Sequence, residues 1–147
     1  MTAGKNSNDP FNLDRFLSAQ GETFPIALAE LRRGHKETHW MWFIFPQIAG
    51  LGHSSMAVFY SIHSRDEAKA YLQHHVLGPR LVQCCEALLQ VNGKSTTEIM
   101  GFPDDLKLRS SMTLFALVSE PGSIFQRVLE KYFQGSADPK TLEIVPA

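Results

Sequence analysis

Two short stretches of the chain concentrate residue types that bind or transform small molecules. The first, "HWMWFIFPQ" over residues 39–47, holds both tryptophans of the chain between a histidine and a glutamine. Two indoles beside an imidazole and an amide can stack on a planar ring and hydrogen-bond its edge. The sequence therefore predicts ligand-binding residues in this stretch, namely His39, Trp40, Trp42 and Gln47. Among them, His39 is also a candidate general acid or base.

The same aromatic run is also typical of a buried core. Trp40 and Trp42 are two positions apart, so on a helix they point to nearly opposite sides. A helix with large apolar groups all round is buried on all sides. Pro46 disfavours helix at the residue before it. On this interpretation the run forms a short central helix, with the neighbouring helices packed around it.

The second stretch, "DDLKLRSSM" over residues 104–112, places charged and hydroxyl groups in the first turns of an apolar helix. Its donors could hold an anion or a phosphate group; they belong to Lys107, Arg109, Ser110 and Ser111. Asp105 could orient His39 or act as an alternative base. The alternative is an ordinary solvated helix start, in which the aspartates complement the helix dipole and Asp105 pairs with Arg109.

The sequence gives little indication of a metal site or of a catalytic cysteine. His35 and His39 have the spacing of a helical zinc pair, but Lys36 stands where the zinc-protease pattern has its glutamate. No third ligand follows at a recognisable spacing, so no metal site and no cofactor is predicted. Cys84 and Cys85 are adjacent, which disfavours a disulfide, and they lie in an apolar helical pattern typical of inert, buried thiols.

Composition indicates one ordinary globular domain. The chain has 147 residues, of which 44% are hydrophobic and 20% charged, and its net charge is -1. Without an excess of positive charge, binding to nucleic acid is disfavoured. The N-terminal stretch has no apolar signal-peptide core, and no apolar run is long enough to span a bilayer, so we expect a cytoplasmic protein without a membrane partner. The oligomeric state is not specified.

Helix start and stop signals recur along the chain. The capping-box pattern, Ser followed three residues later by Glu or Gln, opens predicted helices at Ser64, Ser95 and Ser123. Near the N-terminus, Gly21 is predicted to end one helix, and the next helix begins near Pro25 and stops at Gly34.

Strand-like alternation is nearly absent, so the predicted fold is all-α. It is a single compact domain over residues 10–147, with roughly seven or eight short helices. A flexible N-terminal tail, residues 1–9, is expected to precede it.

Several segments resemble, in order, the bacterial domain-of-unknown-function family 1810. They include "DPFNLDRFLSAQ", "HWMWFIFPQIAGLG", "VLGPRL" and "DDLKLRSSMTLF", and the resemblance covers about residues 8–145. It implies a mainly α-helical fold and brings no established activity. Some members carry a calpastatin label. Calpastatin is a disordered inhibitor, however, whereas this chain has a dense apolar pattern and capped helices.

Two functional hypotheses follow. In the first, the domain binds a small planar anionic, nucleotide-like ligand in a pocket between the two stretches, which requires that they meet in space. In the second, it is a non-enzymatic protein-interaction domain that presents an apolar groove to a protein partner. A closed pocket with convergent polar groups favours the first hypothesis, and a contiguous exposed apolar patch favours the second. Neither stretch decides whether the protein is an enzyme.

Overall fold

The computed structural model describes residues 8–145, and its regular structure is entirely helical. Nine helices follow one another in this range: α1 (Asp14–Arg33), α2 (Met41–Ile44), α3 (Ser55–Phe59), α4 (Arg65–Gln73), α5 (Leu77–Gln90), α6 (Thr96–Met100), α7 (Asp104–Leu117), α8 (Ile124–Phe133) and α9 (Pro139–Ile144). The only β-type pairing in the described range is an isolated parallel bridge between Ile48 and Ile62. The all-α prediction is confirmed, with nine helices rather than seven or eight.

Helix α1 corrects the prediction of two helices near the N-terminus. Gly21 does not end a helix, and Pro25 lies inside the continuous 20-residue α1. Proline removes the hydrogen bond to the carbonyl four residues earlier, which here is that of Gly21. Both residues lie on the exposed face, where water can satisfy this carbonyl. Buried residues of α1 lie on both sides of this point: Phe16, Gln20, Ala27, Leu28, Glu30 and Leu31.

The predicted helix starts are confirmed by their side-chain caps. The hydroxyls of Ser64, Ser95 and Ser123 each accept a hydrogen bond from the backbone N–H three residues later. The reciprocal bond of a full capping box forms at Ser95, from its N–H to the Glu98 carboxylate. As predicted, Gly34 follows the end of α1, in the left-handed conformation (φ 72°).

The hydrophobic core lies between the long helices. Helix α5 packs on α1, α4 and α8, and α7 packs on α8. The side chains of Phe16, Tyr71, Leu88 and Phe115 are fully buried there. The single-turn helix α2 contacts α1 and contributes buried apolar side chains to the same core. Its place as the centre of the packing stays a prediction.

The predicted N-terminal tail lies mostly outside the described residues, which begin at Asn8. Within the described range, the Asp9 carboxylate accepts hydrogen bonds from the backbone N–H groups of Leu13 and Asp14, at 2.7 and 3.0 Å. The start of α1 is therefore capped from residue 9. None of the helices in the described range is long and apolar enough to cross a membrane.

Candidate functional site

A cavity of about 90 Å³ lies between the segment that follows α2 and the segment around α3. We call it the Trp42 cavity, and its walls include Trp42, Gln47, Gly52, Tyr60, Ser61 and His63. Two of these residues, Trp42 and Gln47, belong to the first predicted stretch. The apolar part of the wall comes from Ile48, Ala57 and Val58. The cavity thus combines an aromatic surface with polar groups, as small-molecule sites commonly do.

Backbone pairing positions the two sides of the Trp42 cavity. The N–H of Ile62 donates to the Gln47 carbonyl at 2.8 Å, and the N–H of Ala49 donates to the Ile62 carbonyl at 2.7 Å. These bonds hold Gln47 beside the segment that carries Tyr60. At Gly52, a Cβ atom would lie 2.6 Å from the Ala57 Cβ, so only glycine lets the loop approach α3 this closely.

Arg15, on α1, fixes the segment between α3 and α4. Its guanidinium donates to the carbonyls of Phe59 and Ser61, at 2.9 and 2.8 Å, and to the Glu67 carboxylate at 2.7 Å. The other oxygen of Glu67 accepts from the backbone N–H of His63 at 3.0 Å. The Arg15 and Glu67 side chains are 7% and 2% exposed. This buried ion pair therefore sets the path of the chain through the cavity wall.

Three polar side chains of the Trp42 cavity are not used by the protein itself, whereas the Ser61 hydroxyl donates to the Val58 carbonyl at 2.8 Å. Within the described residues, the indole N–H of Trp42, the amide of Gln47 and the hydroxyl of Tyr60 form no hydrogen bond. All three side chains are half-buried. Their unused donors and acceptors are available to a ligand.

The two predicted stretches meet beside this cavity. The Nζ atom of Lys107 lies 5.6 Å from the centre of the Trp42 ring, a cation–π arrangement. Asp104 connects the stretches further, because its carboxylate pairs with Lys107 at 3.6 Å and with Lys36 at 3.0 Å. The Nζ atom of Lys36 in turn lies 4.8 Å from the Trp40 ring centre.

Other donors of the second stretch are engaged by the protein. The guanidinium of Arg109 donates to the carbonyls of Ser136 and Ala137, at 2.8 and 2.9 Å, and to the Ser136 hydroxyl at 2.6 Å. The hydroxyl of Ser110 donates to the Asp138 carboxylate at 2.9 Å. These bonds tie α7 to the segment between α8 and α9.

The remaining candidates of the second stretch, and His39 of the first, lie apart from the cavity wall. The Asp105 carboxylate accepts from the Thr97 hydroxyl at 2.6 Å and so joins α6 to α7. The hydroxyl of Ser111 is fully buried, has no hydrogen-bond partner in the described range, and lines none of the described cavities. His39 is exposed. No contact links Asp105 to His39 within the described residues.

Trp40 differs from Trp42 because it is fully buried. Its indole N–H donates to the Glu30 carboxylate at 2.9 Å, and the Thr38 hydroxyl donates to the same group at 2.7 Å. Burial raises the pKa of Glu30, but these bonds and those from the Glu37 and Thr38 amides outweigh it and lower the pKa to about 2. Glu30 is therefore a charged anchor for the segment before α2.

A larger cavity of about 440 Å³ adjoins the Trp42 cavity. We call it the His63 groove, and its walls include Ile48, Ala49, His63, Ser64, Asp66 and Ile144. The two cavities share Ile48, Ala49 and His63.

The described residues contain no cluster of metal-ligating side chains, and the two cysteines are buried. No group of three His, Cys, Asp or Glu side chains within the described range is arranged to hold a metal ion. Burial raises the pKa of Cys84 to about 12 and that of Cys85 well above its usual value. Both thiols therefore stay protonated at neutral pH and are poor nucleophiles.

Sequence reasoning missed the three polar wall residues of the segment after α3: Tyr60, Ser61 and His63. Their segment follows α3, a five-residue helix that was not predicted. The available signal was Ser54 before the apolar run "MAVFY", since the Ser54 hydroxyl accepts from the Ala57 N–H at 3.1 Å and caps this helix.

Comparisons with known proteins identify relatives without a described function. A family model described as "Protein of unknown function (DUF1810)" matches residues 10–145. A solved structure, that of the conserved hypothetical protein Rv1873 from Mycobacterium tuberculosis, is 51% identical in sequence and superposes with a TM-score of 0.91. The match covers 93% of this chain and 98% of that one. No curated protein matches.

Proposed function

Because the chain belongs to the DUF1810 family of unknown function, we propose a function from its own cavity: it binds a small planar anionic ligand of the nucleotide type. The observation that carries the proposal is the set of unused polar groups around the Trp42 indole. Trp42 offers an aromatic face, while the amide of Gln47 and the hydroxyl of Tyr60 offer hydrogen bonds to the edge of a ring.

The sizes of the two cavities indicate which part of such a ligand each cavity would hold. The Trp42 cavity, at about 90 Å³, is too small for a whole nucleotide. The ring therefore occupies this cavity, and the rest of the ligand extends past His63 into the groove of about 440 Å³.

Lys107 supplies a positive charge close to Trp42, because its Nζ atom lies 5.6 Å from the Trp42 ring centre, although Lys107 lines neither cavity. Arg109 and Ser110 contribute to the stability of the site instead, since their donors already bind the segment before α9. The proposal is one of binding, and no reaction is assigned to His39 or Asp105.

Calorimetric titration with adenosine, AMP and ADP-ribose tests the proposal. We expect at least one of them to bind, and Trp42→Ala to weaken it roughly 5- to 150-fold, the usual loss of one base–aromatic stack. Gln47→Ala should weaken binding about fivefold through one lost hydrogen bond. His35→Ala is the matched control, since His35 is exposed and lines none of the described cavities. No heat of binding with folded wild-type protein for any of the three compounds would refute the proposal.

The alternative function, a protein-interaction domain, is favoured by one observation. Val58 and Phe59 of α3 are 55% and 54% exposed, and they border a further cavity of about 350 Å³. Substitution of Phe59 by Ser should abolish binding to a partner protein. Co-purification from a cell extract with wild-type protein and with this variant would identify such a partner.

A further inference from the structure

Three charged side chains form a chain of contacts between the two tryptophans. We call Lys36, Asp104 and Lys107 the Lys–Asp–Lys ladder. Its lysines lie over different indoles, Lys36 over Trp40 and Lys107 over Trp42. Its single carboxylate lies between them and pairs with both. With two ammonium groups and one carboxylate, the ladder carries a net charge of about +1.

The two lysines of the ladder are held very differently. Lys36 is 7% exposed, lies 3.0 Å from Asp104, and also donates to the Thr38 carbonyl at 2.7 Å. Lys107 is 29% exposed, lies 3.6 Å from Asp104, and forms no hydrogen bond within the described range. Asp104 is therefore compensated mainly by the fixed Lys36. The charge of Lys107 remains largely uncompensated beside Trp42.

We propose that the Lys–Asp–Lys ladder places one effective positive charge, that of Lys107, over the ring of Trp42, so that the site selects planar aromatic ligands bearing an anionic group. This inference rests on the proposed function, since it concerns the ligand of the same cavity. Lys36 is the closer partner of Asp104, and it prevents that carboxylate from cancelling the charge of Lys107. The result is one effective positive charge within reach of a ligand on Trp42.

This arrangement predicts opposite effects of two substitutions in neighbouring side chains. Lys107→Gln leaves only the Lys36–Asp104 pair, so the net charge falls to about 0. Asp104→Asn leaves two lysines without a carboxylate, so the net charge rises to about +2. Anion attraction should follow the order Asp104→Asn, wild type, Lys107→Gln. If the three charges did not act on the surroundings of Trp42, both substitutions would leave the attraction of anions to this tryptophan unchanged.

Quenching of tryptophan fluorescence measures this attraction without any ligand. Trp40 is fully buried, so collisional quenchers report on Trp42. Iodide senses the local potential, whereas neutral acrylamide senses accessibility alone. At constant ionic strength, the ratio of their quenching constants should fall about twofold in Lys107→Gln and rise about twofold in Asp104→Asn, as expected for one charge within a Debye length. Lys107→Arg should keep the wild-type ratio. Lys69→Gln, an exposed lysine on α4, is the matched control.

Titration with AMP and adenosine then separates this inference from the proposed function. We expect AMP to bind more tightly than adenosine to wild-type protein, and Lys107→Gln to remove the difference. An iodide ratio equal in all folded variants, or equal affinities for AMP and adenosine in wild-type protein, would overturn the ladder inference while leaving ring binding intact. If the iodide ratio follows the predicted order and neither compound binds, the electrostatic part of the inference stands and the proposed function fails.

Discussion

A single carboxylate, that of Glu30, organises the turn between α1 and the aromatic helix. It is 3% exposed and accepts hydrogen bonds from the Trp40 indole, the Thr38 hydroxyl, and the Glu37 and Thr38 backbone amides. These bonds favour the charged form, which lowers the pKa of Glu30 from 4.5 to about 2. A carboxylate whose pKa is lower in the folded state than in the unfolded state stabilises the fold at neutral pH.

We therefore expect Glu30→Gln to lower the free energy of unfolding by about 3 kcal/mol at pH 7, since the pKa falls from 4.5 to about 2 and each pKa unit is worth about 1.4 kcal/mol. The contribution of Glu30 is fully present above pH 4.5 and is lost as the pH falls towards about 2. Urea unfolding at several pH values measures both effects, and the difference in the free energy of unfolding between variant and wild type should shrink in acid.

Glu37→Gln is the control: that side chain is 55% exposed, and its loss should cost less than about 1 kcal/mol. A constant difference between Glu30→Gln and wild type from pH 7 to pH 2.5 would contradict this account.

Only some residues of the Trp42 cavity could be predicted from the sequence, and the reason is physical. Both tryptophans lie in one apolar run, and their spacing places them on opposite sides of a helical turn without saying which side faces the core. In the structure, Trp40 is buried against Glu30 and Trp42 borders the cavity. The partners of Arg109 lie 27 and 28 residues further along the chain. No local pattern could reveal that these donors are already engaged.

At the scale of helices, two glycines differ in whether the surrounding atoms leave room for a side chain. Around Gly21, in the interior of α1, a Cβ atom would meet nothing within 4 Å. At Gly78, near the start of α5, a Cβ would overlap the Leu72 carbonyl oxygen, a backbone atom that cannot turn away. The first glycine is therefore replaceable, and the second is required where α4 and α5 meet.

Gly21→Ala should raise the free energy of unfolding by about 0.5–1 kcal/mol, because alanine loses less conformational entropy in a helix. Gly78→Ala should lower it by about 2–3 kcal/mol through overpacking. Thermal and urea unfolding of the two variants measure both effects. Each substitution serves as the control for the other, since both add one methyl group. If the two variants shifted stability in the same direction, the contrast drawn from their surroundings would be wrong.

Local signals predicted where helices start more reliably than whether they continue. A serine cap acts within one turn, so the caps at Ser64, Ser95 and Ser123 could be predicted from a few residues. The continuity of α1 through Gly21 and Pro25 depends instead on packing of its buried stripe against α5. Intrinsic propensity is a weak signal beside such tertiary contacts, and this is why the predicted break was wrong.

At the scale of the whole molecule, the Arg15–Glu67 pair joins distant parts of the chain. The two residues are 52 positions apart, and their side chains are almost fully buried. Arg15 also donates to the Phe11 and Asn12 carbonyls, both at 2.7 Å, and to that of Ser61. The pair therefore links the start of α1 to the cavity wall and to α4.

Removal of one partner should be costly because it leaves the other charge buried without compensation. We expect Arg15→Met or Glu67→Met alone to lower the free energy of unfolding by about 3–5 kcal/mol. The double variant should be destabilised by less than the sum of the single losses, since neither charge remains. Urea unfolding of the four proteins gives the coupling energy, with wild-type protein as the reference. Additive losses would show that Arg15 acts through its bonds to the backbone carbonyls and not through Glu67.

A coupling of several kcal/mol would instead make this ion pair the long-range contact that stabilises the wall of the Trp42 cavity. Ligand affinity should then fall in both single variants under conditions where they remain folded.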